Sequence, residues 1–535
     1  MKILWLGIYS GIWPHSILEA QLLGPLERDP RFELFYLKCE KQLQRLCNTR
    51  QYYGLTGNES PARMLEVCNY CKRCDSTIER TLGNDALSLN SYLSATEVSQ
   101  SYNISREIPE DKLNEFVFKD IEIGKYSLYD STIKFKKNNK KYENNEAEFF
   151  RNTIQNSILM ATAAEKIIKD VRPDIVIGTD LEYSAMRSFA SIASRNNIQV
   201  FRISGSPAVS EKNKSVRIWQ WDKHKSLDPA IGKWETRGQF EDRIDEARLE
   251  KLLLAIKVAN SPWTYSAAAR GKSSRKEFQI PSANGIMLAV MNSTDEYLAA
   301  VSSDNFPKSK LSQNVFKDQR EWITNLIEFT RKIPNLTLIV RPHPRDYANK
   351  REGLNSHQSQ IWEEYFVNLP DNVVLDHPNL NFPLPDYWKE IKVLTTGWSS
   401  TALEAVIEGV PAVSYDSKIL LYPSELITVG DSVNEYHQNL LNALDRNISY
   451  HERRNIRSWI WYSNFKGSIS LKGGIMEIEV LKRYKLLRIL FLILNKYFKK
   501  TVRTIEINRK IEDAEISRIL DFFLSGSDTV YELDD

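Results

Sequence analysis

Thr396-Gly397-Trp398-Ser399-Ser400-Thr401-Ala402-Leu403-Glu404-Ala405-Val406-Ile407-Glu408-Gly409-Val410-Pro411 decides the fold. The short apolar run Lys392–Thr395 before it reads as a strand. That strand opens through a Gly/Ser/Thr turn into a helix over about 402–408. Gly409 stands where a helix end wants a left-handed residue, Pro411 stops the helix from resuming, and residues 409–413 lead into the next strand. The first turn of such a helix exposes unpaired N–H groups and the positive end of its dipole, which stabilise an anion such as a pyrophosphate. Gly397 lets backbone approach closely, Ser399, Ser400 and Thr401 offer hydroxyl donors, and Glu404 can accept hydrogen bonds from a ribose. The same letters also fit a capping box, Thr401-Ala-Leu-Glu404, in which Glu404 only satisfies the helix start.

About fifty residues upstream, Leu336-Thr-Leu-Ile-Val340 is a strand running directly into Arg341-Pro342-His343-Pro344-Arg345. Ligands of open α/β sheets bind at carboxyl ends of strands. Arg341 offers a fork of donors suited to phosphate, His343 a further donor, and the two prolines stiffen the loop. A structural turn with a satisfied histidine is the other reading. Gly285–Met291 and Val373–Leu375 supply more strands of the same set.

The amino-terminal half follows the same grammar. Residues 2–8 read as a first strand, Ser16–Leu26 as a helix and Phe32–Leu37 as a second strand. Asp174–Gly178, the helix Tyr183–Asn196 and Ile198–Ile203 form a clearer unit. His15, after the first strand, and Asp180 and Glu182, after Gly178, are candidates for a general base, His15 preferred.

At 535 residues the chain is long enough for several domains. A formal net charge of +3 gives no electrostatic case for nucleic acid. No signal peptide and no apolar run of about 18–20 residues is visible, so the expectation is a cytoplasmic protein without a membrane span. Cys68, Cys71 and Cys74, with Cys39 as a fourth ligand, could hold a structural zinc or an iron–sulfur cluster; five cysteines in a reducing compartment also read as buried thiols. Residues 484–503 combine an apolar run with Lys and Arg at both ends. They read as a core helix or as a helix lying on the inner face of the cytoplasmic membrane.

RPHPR after a strand, with TGWSSTALEAVIEGVP beyond it, resembles the carboxyl-terminal half of GT-B glycosyltransferases of the capsule-polysaccharide and lipopolysaccharide type. The match covers residues 285–420; the amino-terminal half matches in architecture alone. Trp398 departs from the small residue usual there. The resemblance implies an α/β fold of two Rossmann-like domains facing across a cleft. Its bounds would be 1–265 for an acceptor domain with a polar insertion near 100–150, 266–284 for a linker, 285–450 for a donor domain, and 451–535 for a helical tail. It implies that Arg341, His343, Arg345, Gly397, Ser399, Ser400 and Thr401 hold donor phosphates and Glu404 the ribose. No cofactor or catalytic metal is then required, the nucleotide-sugar being a substrate, and the acceptor is a lipid-linked or polysaccharide glycan. Nucleotide-sugar epimerisation, CDP-alcohol phosphotransfer, and a non-catalytic role in polysaccharide assembly or export are the rival readings.

Overall fold

The computed structural model describes residues 1–43, 47–55, 59–83, 86–137, 142–179, 181–205, 214–225, 227–236, 244–257, 285–306, 315–349, 353–380, 382–471 and 511–533. The chain is mixed α/β and divides into two compact units, each built on a largely parallel sheet. The first comprises 1–131, 140–226 and 464–535, the second 132–139 and 227–463.

In the first unit, β1 (Lys2–Leu6), β2 (Glu33–Lys38), β3 (Leu87–Ser88), β4 (Ile175–Gly178) and β5 (Gln199–Gly205) run parallel. β6 (Lys214–Gln220) and β13 (Ile469–Leu471) extend the sheet, each antiparallel to its neighbour, in the order β13-β6-β5-β4-β1-β2-β3. β1 and β4 are apolar almost throughout because helices cover both faces. On one face the helix Asn144–Val171 buries Phe150, Ile154, Ile158 and Ile167. Full burial of each is worth roughly 1.5–3 kcal/mol.

The expected polar insertion is instead largely helical. Ala95–Glu107, Ile123–Phe135 and Asn144–Val171 are helices, with residues 138–141 outside the described set. The expected boundaries also shift. The carboxyl-terminal stretch is part of the first unit, because β13 pairs with β6 and Phe522 and Phe523 of the helix Asp513–Ser525 pack edge-on against Phe201. The expected linker, 266–284, and the basic segment 484–503 lie outside the described residues.

The second unit has six parallel strands: β7 (Gly285–Val290), β8 (Leu336–Arg341), β9 (Val373–Leu375), β10 (Val393–Thr396), β11 (Ala412–Tyr415) and β12 (Thr428–Gly430). Their order is β12-β11-β10-β7-β8-β9. The chain starts in the middle, winds outward through β8 and β9, then returns to wind the other way from β10. This is the doubly wound order, with its reversal between β7 and β10. In the first unit the corresponding reversal falls between β1 and β4.

Among the described residues no helix is long and apolar enough to cross a membrane.

Candidate functional site

In the second unit the RPHPR loop leaves β8 and the TGWSST turn leaves β10. These strands are not adjacent, since β7 runs between them. All three are parallel, so both loops leave the same edge, two strand spacings or about 10 Å apart. The loop after β7 ties them together. Asn292 Oδ1 accepts the Trp398 N–H at 3.3 Å and the Thr396 hydroxyl at 3.3 Å. Asp295 pairs with Arg345 at 2.8 Å. Asn292 and Asp295 are site residues that the sequence reading missed; their signal was the polar run Asn292-Ser293-Thr294-Asp295 directly after an apolar strand.

The two arginines do not stand where expected. Arg345 is 2% exposed, its guanidinium spent on Asp295 and on the Ile133 carbonyl at 3.1 Å. Arg341 donates to Asp376 at 2.6 Å and to the Phe382 carbonyl at 2.9 Å. A buried guanidinium demands an anionic partner, and each found a carboxylate elsewhere in the fold. Arg345 therefore braces the loop from below, and Arg341 is anchored sideways.

His343 follows β8 in the same loop. Its Nδ1 accepts the Arg345 N–H at 3.3 Å. Burial, with Arg345, Lys136 and Arg341 nearby, lowers its pKa to about 4 against the opposing pull of Asp295. The ring is thus neutral near pH 7, and with Nδ1 accepting, its proton sits on Nε2, a donor. Beneath the loop, burial holds the Asp346 carboxyl well above its ordinary range. Arg341, Arg345 and Lys136 face Asp376, Asp295 and Glu296, the last 3.6 Å from Arg345, so the charges around the loop balance.

The TGWSST turn partly caps itself. Ser399 Oγ accepts the Thr401 N–H at 3.2 Å and donates to Thr401 Oγ1 at 2.9 Å. The Ala402 and Leu403 N–H groups turn back to the Ser399 and Ser400 carbonyls. The expected row of unpaired donors is therefore shortened, while the dipole of the helix Thr401–Glu408 stays aimed at the turn. Ser400 is exposed. A Cβ at Gly397 would lie 3.0 Å from Asn292 Oδ1 and 3.2 Å from the Tyr415 hydroxyl. Trp398 fits by stacking on Tyr297, centroids 4.9 Å apart.

No capping box forms at this helix: its cap is Ser400, without a side-chain bond, and Glu404 lies in the first turn. Burial first, then the Glu408 carboxylate, push the Glu404 pKa up to about 7.

In the first unit a small cleft lies at the β1/β4 reversal, lined by Leu6, Tyr9, Ile12, His15, Ser16, Glu19, Thr179 and Met186. His15 is in the first turn of the helix Trp13–Glu27. Glu19, one turn further along and 3% exposed, accepts the Thr179 N–H at 3.1 Å. Asp180 lies outside the described residues. Glu182 is not poised as a base: it is buried and ion-paired with Arg202.

Of the cysteines, Cys68, Cys71 and Cys74 share the helix Pro61–Leu82, and Cys39 follows β2. Burial pushes the Cys39 thiol up to about 12 and raises Cys71 further. Among the described residues no group of three or more His, Cys, Asp or Glu stands where it could hold a metal ion, so the expected set of Cys39, Cys68, Cys71 and Cys74 does not form one.

No protein-family model matches the chain, and no curated protein matches it in sequence. Solved structures similar to it include the spinosyn rhamnosyltransferase SpnG complexed with spinosyn aglycone, at 10% identity over 86% of this chain and 96% of that one, TM-score 0.27. The UDP-GlcNAc 2-epimerase from Neisseria meningitidis bound to UDP-GlcNAc is similar at 9% identity over 87% and 97%, TM-score 0.27. The Thermosulfurimonas dismutans KpsC, a beta Kdo 2,4 transferase, is similar at 12% identity over 53% and 86%, TM-score 0.33. Superpositions this loose leave the chemistry to the residues.

Proposed function

We propose that this chain is a glycosyltransferase of the GT-B kind that moves a sugar from a nucleotide-sugar donor onto a capsule or O-antigen type glycan. The observation that carries the reading is the doubly wound order of the second unit. It sets the loops bearing His343 and Gly397 and the helix bearing Glu404 at one end of the sheet, around a topological reversal. In this reading His343 Nε2–H and the Ser400 and Thr401 hydroxyls bind the donor phosphates, and Glu404 accepts from the ribose. The helix dipole and the His343 donor stabilise the departing nucleotide, so the reaction needs no metal. His15, in the pocket of the first unit, is the proposed base. Residues 484–503 would bring the enzyme to a lipid-linked acceptor at the membrane surface.

A thermal-shift panel of CMP, CDP, UDP, GDP and TDP compounds tests the donor site. A ligand at a hundred times its Kd stabilises by about 2.7 kcal/mol. One nucleotide should raise Tm in the wild type and not in His343→Ala. No shift with any of them would favour a non-catalytic assembly or export protein. Product analysis then separates transfer from epimerisation and from CDP-alcohol phosphotransfer, which would use the same pocket.

A further inference from the structure

Trp398 is the one large side chain in the turn Thr396–Thr401. Its indole lies on the ring of Tyr297, centroids 4.9 Å apart and planes 30° from parallel. Tyr297 belongs to the helix Thr294–Ser302, which follows β7, so the pair spans the reversal between β7 and β10. Both rings are half-buried. The core cluster against which Trp398 packs holds Phe316, Tyr415 and Tyr436, all buried and meeting one another edge-on at 78–82°. Edge contacts fill that core, whereas the near-parallel pair stays partly open at the carboxyl ends of the strands, where ligands of such sheets bind.

The stack is held from both sides. Asn292 Oδ1 accepts the Trp398 N–H at 3.3 Å, and the Tyr297 N–H donates to the Ser293 carbonyl at 3.4 Å in the first turn of its helix. An aromatic surface already in place binds a ligand without the entropy cost of freezing two side chains. Beside it, Glu296 carries a side chain 45% exposed, with its carboxylate 3.6 Å from Arg345 of the His343 loop. Ser400 is exposed at the start of the helix Thr401–Glu408. A carboxylate only accepts, which suits the hydroxyls around the rim of a pyranose. The C–H face of the same ring is drawn to the negative face of an aromatic side chain. A nucleobase edge, which carries acceptors as well as donors, is a poorer match to Glu296. The helix bearing Glu404 packs on β10 and β11, on the other side of the turn from β7. With Glu404 on the ribose and the turn on the phosphates, the stacked pair lies on the side left for the group beyond them.

We propose that Trp398 and Tyr297 form a stacking platform for the pyranose of the donor, with Glu296 accepting its hydroxyls. The platform presupposes the nucleotide-sugar site proposed above and adds the part of that site that recognises the sugar. It selects a pyranose with an unbroken C–H face; an axial hydroxyl on that face would lift the ring off the indole.

Calorimetric titration of the full-length chain with paired probes is the test: UDP and UDP-GlcNAc, TDP and TDP-rhamnose, CMP and CMP-Kdo, GDP and GDP-mannose. For the pair that binds, Trp398→Leu and Tyr297→Leu should each weaken the nucleotide-sugar roughly tenfold more than the nucleotide alone, and Glu296→Ala likewise. Trp398→Phe and Tyr297→Phe keep a ring in place and should retain most of the difference. Should Trp398→Leu fail to fold, Tyr297→Leu and Glu296→Ala carry the test. Equal weakening of nucleotide and nucleotide-sugar in those two variants overturns the platform and leaves the donor site standing. A wild-type chain that binds none of the eight compounds removes the donor site and the platform together.

Discussion

Glu404 is held in an environment that disfavours its charge, with Glu408 nearby and its pKa near 7. An acid whose folded pKa is raised stabilises the fold least when ionised. Its contribution is intact below the unfolded value of about 4.5 and is lost as pH rises through 7. Glu404→Gln should therefore be more stable than wild type at pH 8, on the order of 1–3 kcal/mol, and no different at pH 4; urea melts at the two pH values measure this. If Glu404 holds a ribose, the same variant binds nucleotide more weakly while melting higher. His343 has the opposite sign. Its depressed pKa means that stability present above pH 6.5 is lost as pH falls toward 4, so His343 adds no pH dependence to nucleotide affinity between pH 6.5 and 8, and a slope there should vanish in Glu404→Gln. The position of His343 was legible because prolines flank it at a strand end. The occupation of Arg341 and Arg345 was not, since their carboxylates lie 35 and 50 residues away in sequence.

At the scale of elements, the parallel strands announced themselves as short apolar runs ending in Gly, Ser or Pro, and β1, β4, β7, β8 and β10 fall within a residue or two of expectation. β6 and β13 were missed because they pair antiparallel at a sheet edge, where register comes from tertiary partners. The loop after β7 is the element on which both donor-side loops depend. Arg345→Ala would leave Asp295 buried beside no cation, at a cost of about 3–5 kcal/mol in chemical denaturation. Gly397→Ala forces a methyl between Asn292 and Tyr415. It should abolish the nucleotide-dependent Tm shift while lowering the ligand-free Tm far less than Arg345→Ala does.

For the whole molecule, two doubly wound units were legible from repeated strand–helix–strand grammar, but their composition was not. A sequence read from left to right suggests domains in succession, whereas contacts assign 464–535 to the unit that contains residue 1. Phe522, 1% exposed, lies in that shared core. Phe522→Ala should destabilise the first unit by about 3–5 kcal/mol and leave nucleotide binding by the second unchanged; hydrogen exchange resolved by segment distinguishes the two. Deleting everything after residue 476 to test membrane attachment would also remove this core helix, so substitution of the lysines and arginines in 484–503 is the cleaner experiment.

The pairing of β13 with β6 has a consequence for how the protein is made. While a ribosome is still translating residue 463, the second unit is complete in covalent terms, but the first lacks both its edge strand and the phenylalanines that cover Phe201. Nascent chains usually mature from the amino end. Here the later-made half can settle first, and the earlier half must keep an open, sticky sheet margin until residues 469–523 have been made. A stop before residue 469 would thus strand the beginning of the polypeptide.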